Sequence, residues 1–149
     1  MSDAQPVFDQ LNLVVRDMDA AMTFYRRLGL RIPDAAIWRT RSGAHHAEAV
    51  MPNGVRLEFD SIELAKSCNA GWEEPTAGGS RSVVGFSLPS REAVDERYAE
   101  LTSAGYRGRQ PPYDAFWGAR YAVIEDPDGN HVGLMSRKDP ARRTKPPEI

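Results

Sequence analysis

The sequence predicts an α+β protein that contains two βαβββ modules, each with a mixed sheet and with its helix on the outer face of that sheet. Two observations predict this fold class. The same order of strand and helix patterns occurs in both halves of the 149-residue chain, and a Pro-x-Gly turn precedes the last strand of each half, at residues 52–54 and 127–129. Similarity at about half the chain length is typical of a duplicated module.

Each predicted module begins with a strand. Apolar residues alternate with other residues in segments 11–15 (LNLVV) and 83–88 (VVGFSL). A period of two is typical of a strand that buries one face and leaves the other face open. The first strand of each module is therefore expected to pack one side against the core.

An amphipathic helix is predicted after each first strand. Residues 17–29 (DMDAAMTFYRRLG) and 90–105 (SREAVDERYAELTSAG) carry apolar side chains at the i, i+3, i+4 and i+7 spacing of one helix face. Asp17 and Ser90 are good N-cap residues, and a glycine ends each segment. Three further strands follow each helix, and the Pro-x-Gly turn joins the last two of them.

The chain therefore divides into four predicted regions. Residues 1–62 form the first module, residues 63–82 a linker, and residues 83–137 the second module. The linker includes the turn-rich stretch GWEEPTAGGS, which we expect to be irregular. Residues 138–149 form a basic, proline-rich C-terminal tail that is expected to be disordered unless a surface holds it.

Composition and charge exclude several classes of function. The formal net charge of −2 provides no field that would recruit nucleic acid or an acidic membrane, and no apolar run approaches the roughly 20 residues that span a bilayer. The N-terminal residues lack the basic start and apolar core of a secretory signal. Cys68 is the single cysteine, which excludes an internal disulfide and fits a reducing compartment. We expect a soluble, cytoplasmic protein.

Strand alternation also predicts which side chains lie on the open sheet faces. A mixture of polar, small and apolar residues is expected there, and such a mixture suits the lining of a pocket better than a fully solvated surface. The alternative is an open sheet face that simply contacts water. The predicted open-face residues are Gln10, Asn12, Val14, Arg56, Glu58, Asp60, Val83, Gly85, Ser87, His131, Gly133 and Met135.

Two segments carry a resemblance to a known family. LNLVVRDMDAAMTFYRRLGL in the first half and WGARYAVIEDPDGNHVGL in the second resemble the vicinal oxygen chelate superfamily, which includes glyoxalase I, extradiol dioxygenases and bleomycin-resistance proteins. The resemblance covers about residues 8–137. It implies a glyoxalase/bleomycin-resistance-type fold in which each sheet is cupped around a ligand, and it implies a homodimer.

The resemblance also implies where a metal ion would bind. Metal-dependent members place one ligand on the first strand and one on the fourth strand of each module, which corresponds here to Gln10 and Glu58, and to Val83 and Gly133. The last two have no side chain that can ligate a metal. No cofactor is therefore favoured, although Gln10 and Glu58 leave a divalent metal with a non-standard ligand set possible. Glu58 is also the candidate general base.

Histidines offer a further route to a metal site. His45 and His46 are adjacent on a predicted strand, so only one of them can face the pocket. His131 shares its strand face with Gly133. Surface or half-buried histidines without a metal are the alternative, and none of the three lies at a metal position implied by the resemblance.

Ligand contacts are predicted from the open faces and from nearby aromatic residues. An aromatic ring can stack on a planar ligand, although packing in the core is the competing interpretation. The aromatic candidates are Trp38, Trp72, Tyr113, Phe116 and Trp117. The predicted ligand-binding residues are Gln10, Asn12, Arg56, Ser87, Tyr113, Trp117 and His131.

Three functional hypotheses follow. The favoured one is a bleomycin-resistance-type protein that binds a small, partly planar organic molecule without the family's four-ligand metal centre. The first alternative is a divalent-metal-dependent lyase, isomerase or dioxygenase that uses Gln10 and Glu58. The second is an accessory domain with a vestigial pocket. Whether any reaction is catalysed stays open at the level of sequence.

Overall fold

The structure is a computed structural model that describes residues 5, 8–70, 72–76, 80 and 82–148. The chain forms two compact units, Met1–Glu74 and Pro75–Ile149. Each unit contains one four-stranded mixed sheet, and helices pack on these sheets, which confirms the predicted α+β fold class. The boundary between the units falls inside the segment interpreted as a linker. Parts of its GWEEPTAGGS stretch, at positions 71 and 77–79, lie outside the described residues.

The first unit contains the predicted βαβββ module. Its strand order is β1-β4-β3-β2, with β1 parallel to β4 and the other neighbours antiparallel. A short 3-10 turn, Asp34–Ala36, leads into β2. The elements are β1 (Gln10–Val15), α1 (Met18–Leu28), β2 (Ile37–Thr40), β3 (Gly43–Val50), β4 (Arg56–Ser61) and α2 (Ile62–Cys68).

The second unit repeats the arrangement. Its strand order is β5-β8-β7-β6, again with a parallel pair, β5 and β8, at one edge. The elements are β5 (Val83–Ser87), α3 (Arg91–Ser103), β6 (Gly108–Asp114), β7 (Arg120–Glu125) and β8 (His131–Met135). No helix in the part of the chain that the structure describes is long and apolar enough to cross a membrane.

Helix α1 illustrates how the sequence builds the first core. The Asp17 side chain accepts a hydrogen bond of 3.0 Å from the Ala20 backbone N–H and so caps the helix. The ring of Tyr25 lies 4.9 Å from the ring of Phe59 on β4, and both side chains are fully buried. Burying one such side chain contributes about 1.5–3 kcal/mol, so this contact fixes α1 against one face of the sheet.

Among the described residues, the last turn of the second unit carries more side-chain hydrogen bonds than its counterpart in the first. Gly54 and Gly129 have positive φ values of 88° and 84°, as the Pro-x-Gly pattern predicts. In the second turn the buried carboxylate of Asp126 also accepts hydrogen bonds from the backbone N–H groups of Asp128 and Asn130, at 2.9 and 2.8 Å. The turn is thus held by a side chain as well as by its backbone.

Two features go beyond the sequence prediction. Helix α2 lies in the segment interpreted as a linker, where Ser61 caps it by accepting a 3.2 Å hydrogen bond from the Leu64 N–H. The tail forms a 3-10 turn, Pro140–Arg142, and its backbone bonds to the β6–β7 loop. The Asp139 N–H donates to the Gly118 carbonyl at 3.0 Å, and the Thr144 N–H donates to the Phe116 carbonyl at 2.9 Å.

Candidate functional site

Strand β4 separates the core of the first unit from its open face. Leu57 and Phe59 are buried on the side that carries α1. Glu58 lies between them in sequence and points to the opposite face, where its register partners are Asn12 on β1 and Glu48 on β3. The alternation predicted for this strand is therefore confirmed.

A cluster of His46, Glu48 and Glu58 lies on this open face. His46 and Glu48 alternate on β3, and Glu48 is directly opposite Glu58 across the antiparallel β3–β4 ladder. One possible metal-ligand atom from each of the three side chains lies within 4.8 Å of the other two. We call these residues the β3–β4 cluster. Sequence reasoning did not include Glu48, although its two-residue spacing from His46 was a usable signal.

The acidic side of the β3–β4 cluster faces one arginine. The Nη1 atom of Arg56 lies 3.5 Å from Glu58 Oε1 and 3.8 Å from Glu48 Oε2, while its Nη2 atom lies 2.5 Å from Asp9 Oδ2. The hydrogen bond to Asp9 and then the charge of Asp9 raise the pKa of Arg56 above its ordinary value, and the charges of Glu58 and Glu48 contribute further. Arg56 is therefore a permanent cation that bonds mainly to Asp9.

Glu58 is the buried member of the β3–β4 cluster. Only 7% of the residue is exposed. Within the described residues, no hydrogen-bond donor reaches its carboxylate, and the Arg56 contact at 3.5 Å is its ion pair. A buried carboxylate is costly unless nearby charge or hydrogen bonds compensate it. The Arg56 charge compensates part of this cost, and a further cation or donor would compensate more.

A second contact orients His46. Its Nδ1 atom lies 2.7 Å from Asp60 Oδ1, and the other Asp60 oxygen accepts a hydrogen bond of 2.8 Å from Asn12 Nδ2. An ionised carboxylate can only accept, so Nδ1 of the neutral imidazole carries the proton and Nε2 carries the lone pair. This arrangement is the one that orients histidine ligands in metal sites.

His45 lies on the other face of β3, as strand alternation predicted. Its Nε2 atom lies 2.7 Å from the Thr40 hydroxyl and 3.0 Å from the Ser42 hydroxyl, and its Nδ1 atom lies 3.4 Å from the Ser61 hydroxyl. These contacts include no member of the β3–β4 cluster. The two adjacent histidines therefore have separate environments.

An open groove of about 410 Å³ borders the β3–β4 cluster. This volume falls within the range of small-molecule sites, about 300–1,000 Å³. Its lining combines charged and apolar side chains from the loop after α1 and from β3. The lining residues are Arg31, Pro33, Ala36, His46, Glu48 and Val50.

In the second unit, an aromatic ring packs against one of the two positions where the resemblance implies metal ligands. A Cβ atom added to Gly133 would lie 3.1 Å from Val83 Cγ1 and 3.2 Å from both Cε2 and Oη of Tyr121. The Tyr121 ring thus packs directly against Gly133. Because neither Val83 nor Gly133 can ligate, and the side chains of Tyr121 and Val83 fill the space beside Gly133, these residues do not fit the family's four-ligand metal centre.

Tyr121 belongs to a group of four rings that we call the aromatic cluster. Its ring centroid lies 5.4 Å from that of Trp117 and 6.1 Å from that of Tyr113, and Phe116 lies 5.2 Å from Trp117. All of these pairs are edge-on, which is a favourable geometry for aromatic rings. Tyr113 and Phe116 are each 37% exposed. Burial raises the pKa of Tyr121, and the neighbouring Tyr113 contributes to the shift.

The other predicted site residues lie outside both the β3–β4 cluster and the aromatic cluster. Gln10 is exposed, and its register partner on β4 is Arg56 rather than Glu58. Ser87 is exposed at the end of β5, opposite Met135. His131 is half-buried and opposite Val83 on β5. Asn12 and Arg56, in contrast, both contact carboxylates beside the β3–β4 cluster, as described above.

The fold defines the class of protein: a βαβββ module that occurs twice in one chain. The family model described as Glyoxalase/Bleomycin resistance protein/Dioxygenase superfamily matches residues 7–134. The chain belongs to this superfamily. A comparison with curated proteins found no match.

Solved structures of the same fold agree with this assignment. A glyoxalase/bleomycin resistance protein/dioxygenase from Nocardioides is 24% identical, with a TM-score of 0.67 over 99% of this chain and 92% of the other. A family enzyme from Burkholderia phytofirmans PsJN is 21% identical, with a TM-score of 0.71 over 87% and 97%. A lactoylglutathione lyase from Agrobacterium tumefaciens is 19% identical, with a TM-score of 0.62 over 91% and 96%. At these identities the likeness concerns the fold.

Proposed function

We propose that the protein binds a small, partly planar organic molecule on the open face of the second sheet, without the family's four-ligand metal centre. The observation that carries this proposal is the Tyr121 ring packed against Gly133, one of the positions where the resemblance implies a metal ligand. An aromatic surface at that position favours stacking over coordination.

The aromatic cluster supports the same proposal. Tyr113 and Phe116 are partly exposed, so their rings present apolar surface that a planar ligand can cover. Val83 is 48% exposed, and Gly85 and Ser87 continue the same face along β5. Small and apolar neighbours leave space beside the rings. The Ser87 hydroxyl and the His131 imidazole supply hydrogen-bonding groups at the margins of this sheet face.

Binding can be tested with a panel of planar probes: a naphthoquinone, a flavonoid and bleomycin. We expect at least one probe to bind wild type in calorimetric titration. Tyr121→Ala should weaken that binding by about tenfold, equivalent to about 1.4 kcal/mol, because the stacking surface is removed. Tyr121→Phe keeps the ring and should retain most of the affinity. Trp38→Phe, which changes an exposed aromatic residue of the other unit, is the matched control.

Either of two results would contradict the proposal. One is the absence of binding by every probe at millimolar concentration. The other is a loss of affinity in Trp38→Phe as large as that in Tyr121→Ala. Circular dichroism of each variant distinguishes lost binding from lost folding.

Homodimerisation and a cytoplasmic location also belong to this proposal. The single cysteine, Cys68, is exposed and free, which suits a reducing compartment. For the dimer, sedimentation velocity of the full chain should give the mass of two subunits at micromolar concentration. A monomer under those conditions would exclude the dimer and leave the proposed ligand site untouched.

A further inference from the structure

We infer that the β3–β4 cluster, His46, Glu48 and Glu58, binds a divalent transition-metal ion within the first unit. The inference depends on residues that the proposed function does not use. It also differs from the ligand positions implied by the resemblance, because two of its three ligands come from β3. One imidazole nitrogen with two carboxylates is a donor set that suits ions such as Zn²⁺, Co²⁺, Ni²⁺ and Mn²⁺.

The backbone already positions the three ligands. The antiparallel ladder sets Glu48 opposite Glu58, and the two-residue spacing places His46 on the same face. Their candidate ligand atoms lie within 4.8 Å of one another. Ligand atoms that share an ion at bond lengths of about 2.0–2.2 Å lie roughly 3–4 Å apart, so small side-chain rotations are sufficient to close the site.

Asp60 gives His46 the orientation that a ligand needs. It accepts a hydrogen bond from Nδ1 at 2.7 Å and is itself held by Asn12 at 2.8 Å. The Nε2 lone pair is then available to a cation. Such outer carboxylates typically change metal affinity by about 10–100-fold when they are removed. We therefore assign Asp60 as a positioning residue for this site.

The charge around the cluster also favours a divalent cation. Glu48, Glu58 and Asp60 carry three carboxylates on one sheet face, and Asp9 lies beside them. Among the described residues, Arg56 is the permanent cation that contacts Glu48 and Glu58, and its shortest contact is to Asp9. Glu58 is only 7% exposed, and its ion pair within the described residues is the 3.5 Å contact with Arg56. A bound ion would add positive charge beside these carboxylates.

The neighbouring groove gives the site access to small molecules. His46 and Glu48 belong to its lining, and Arg31 adds a positive charge to the same wall. Three protein ligands leave coordination positions open, as in catalytic metal sites rather than structural ones. Water or an anionic group of a small molecule would fill these positions from the groove.

The test begins with full-length protein stripped of metal by a chelator and titrated separately with Zn²⁺, Co²⁺, Ni²⁺ and Mn²⁺. Isothermal calorimetry measures stoichiometry, and the visible spectrum of the Co²⁺ form reports its coordination. We expect one ion per chain for at least one metal. Glu48→Gln and Glu58→Gln preserve side-chain volume and should each weaken binding by tenfold or more. His46→Ala should do the same and should change the Co²⁺ spectrum.

His45→Ala is the matched control, because His45 is the adjacent residue on the opposite face of β3. It should bind metal as wild type does. Asp60→Asn should reduce affinity by about 10–100-fold while leaving the stoichiometry at one. Arg56→Gln should strengthen binding, since it removes the cation that competes for Glu48 and Glu58.

Three outcomes would overturn the inference: no stoichiometric binding of any of the four ions by wild type, an equal loss of affinity in His45→Ala and His46→Ala, or weaker metal binding in Arg56→Gln. Binding of the planar probes is measured in the same variants. Loss of metal binding with retained probe binding in Glu48→Gln would support a metal site distinct from the proposed ligand site. Failure of probe binding alone would count only against the proposed function.

Discussion

His46 and Asp60 face each other across the β3–β4 ladder, and the Nδ1 atom of His46 lies 2.7 Å from Oδ1 of Asp60. Both side chains are largely covered, with exposed side-chain fractions of 31% and 14%. Since Asn12 bonds to the second oxygen of Asp60, the carboxylate has little freedom to rotate. This relationship fixes one tautomer of His46 before any ligand arrives.

The first prediction concerns that tautomer. In wild type we expect nitrogen NMR shifts of the His46 ring to report a proton on Nδ1 at neutral pH. In Asp60→Asn the two tautomers should mix, because an amide can donate as well as accept. The free energy of unfolding should fall by about 1.5–3 kcal/mol, as expected for a hydrogen bond to a charged group. An unchanged tautomer in the variant would show that Asp60 does not control the ring.

The second prediction concerns the close contact at Gly133. A methyl group added by Gly133→Ala would lie 3.1–3.2 Å from Val83 and Tyr121 and would push the ring outward. We expect a loss of about 1–3 kcal/mol in unfolding free energy, typical of overpacking, together with weaker binding of the planar probes.

Gly85→Ala provides the matched control for that substitution. Gly85 and Gly133 are register partners on β5 and β8, and a Cβ atom at Gly85 has nothing within 4 Å. Chemical denaturation should therefore give near wild-type stability for Gly85→Ala. Equal destabilisation of both variants would mean that the Tyr121 contact is not the cause.

How far the sequence could predict this site depends on the range of the interactions involved. Alternation within β4 is local, and it correctly placed Glu58 on the open face and Phe59 in the core. The cross-strand register that brings Glu48 beside Glu58 depends on the pairing of β3 with β4, which the pattern of β3 alone does not specify. The sequence could therefore identify individual residues of the cluster, but it could not predict that they lie close together.

Tyr121 illustrates the same limit in the second unit. The sequence of β7 does not indicate that the Tyr121 ring packs over Gly133, because these two residues lie on different strands, β7 and β8. Helix α2 was missed for a different reason. Its seven residues, Ile62–Cys68, give too few turns for a periodic pattern, and packing on the first sheet rather than propensity stabilises a helix this short.

A third prediction tests the turn that first indicated a duplicated module. Gly129 has a φ of 84°, a conformation that a β-branched residue strongly disfavours. Gly129→Val should lower the unfolding free energy by about 1–3 kcal/mol without changing the aromatic cluster. Gly85→Val, at a strand position without positive φ, is the control and should be tolerated. Wild-type stability of Gly129→Val in urea denaturation would contradict the observed turn geometry.

The last prediction concerns stability at alkaline pH. Burial, with a smaller contribution from Tyr113, raises the pKa of Tyr121 above its ordinary value of 10.0. The folded protein therefore keeps this proton over a pH range in which the unfolded chain has lost it. The resulting stabilisation is fully present below the unfolded pKa, and it is lost as the pH rises through the folded pKa.

Tyr121→Phe removes the titrating hydroxyl and should therefore flatten the decline in unfolding free energy above about pH 10. At neutral pH the variant should show no such pH-dependent difference from wild type, which provides an internal control. Urea denaturation at a series of pH values measures the slope, and ultraviolet absorbance of tyrosinate follows the ionisation directly. If wild type and Tyr121→Phe lose stability with the same slope above pH 10, the aromatic cluster does not shield the hydroxyl from water.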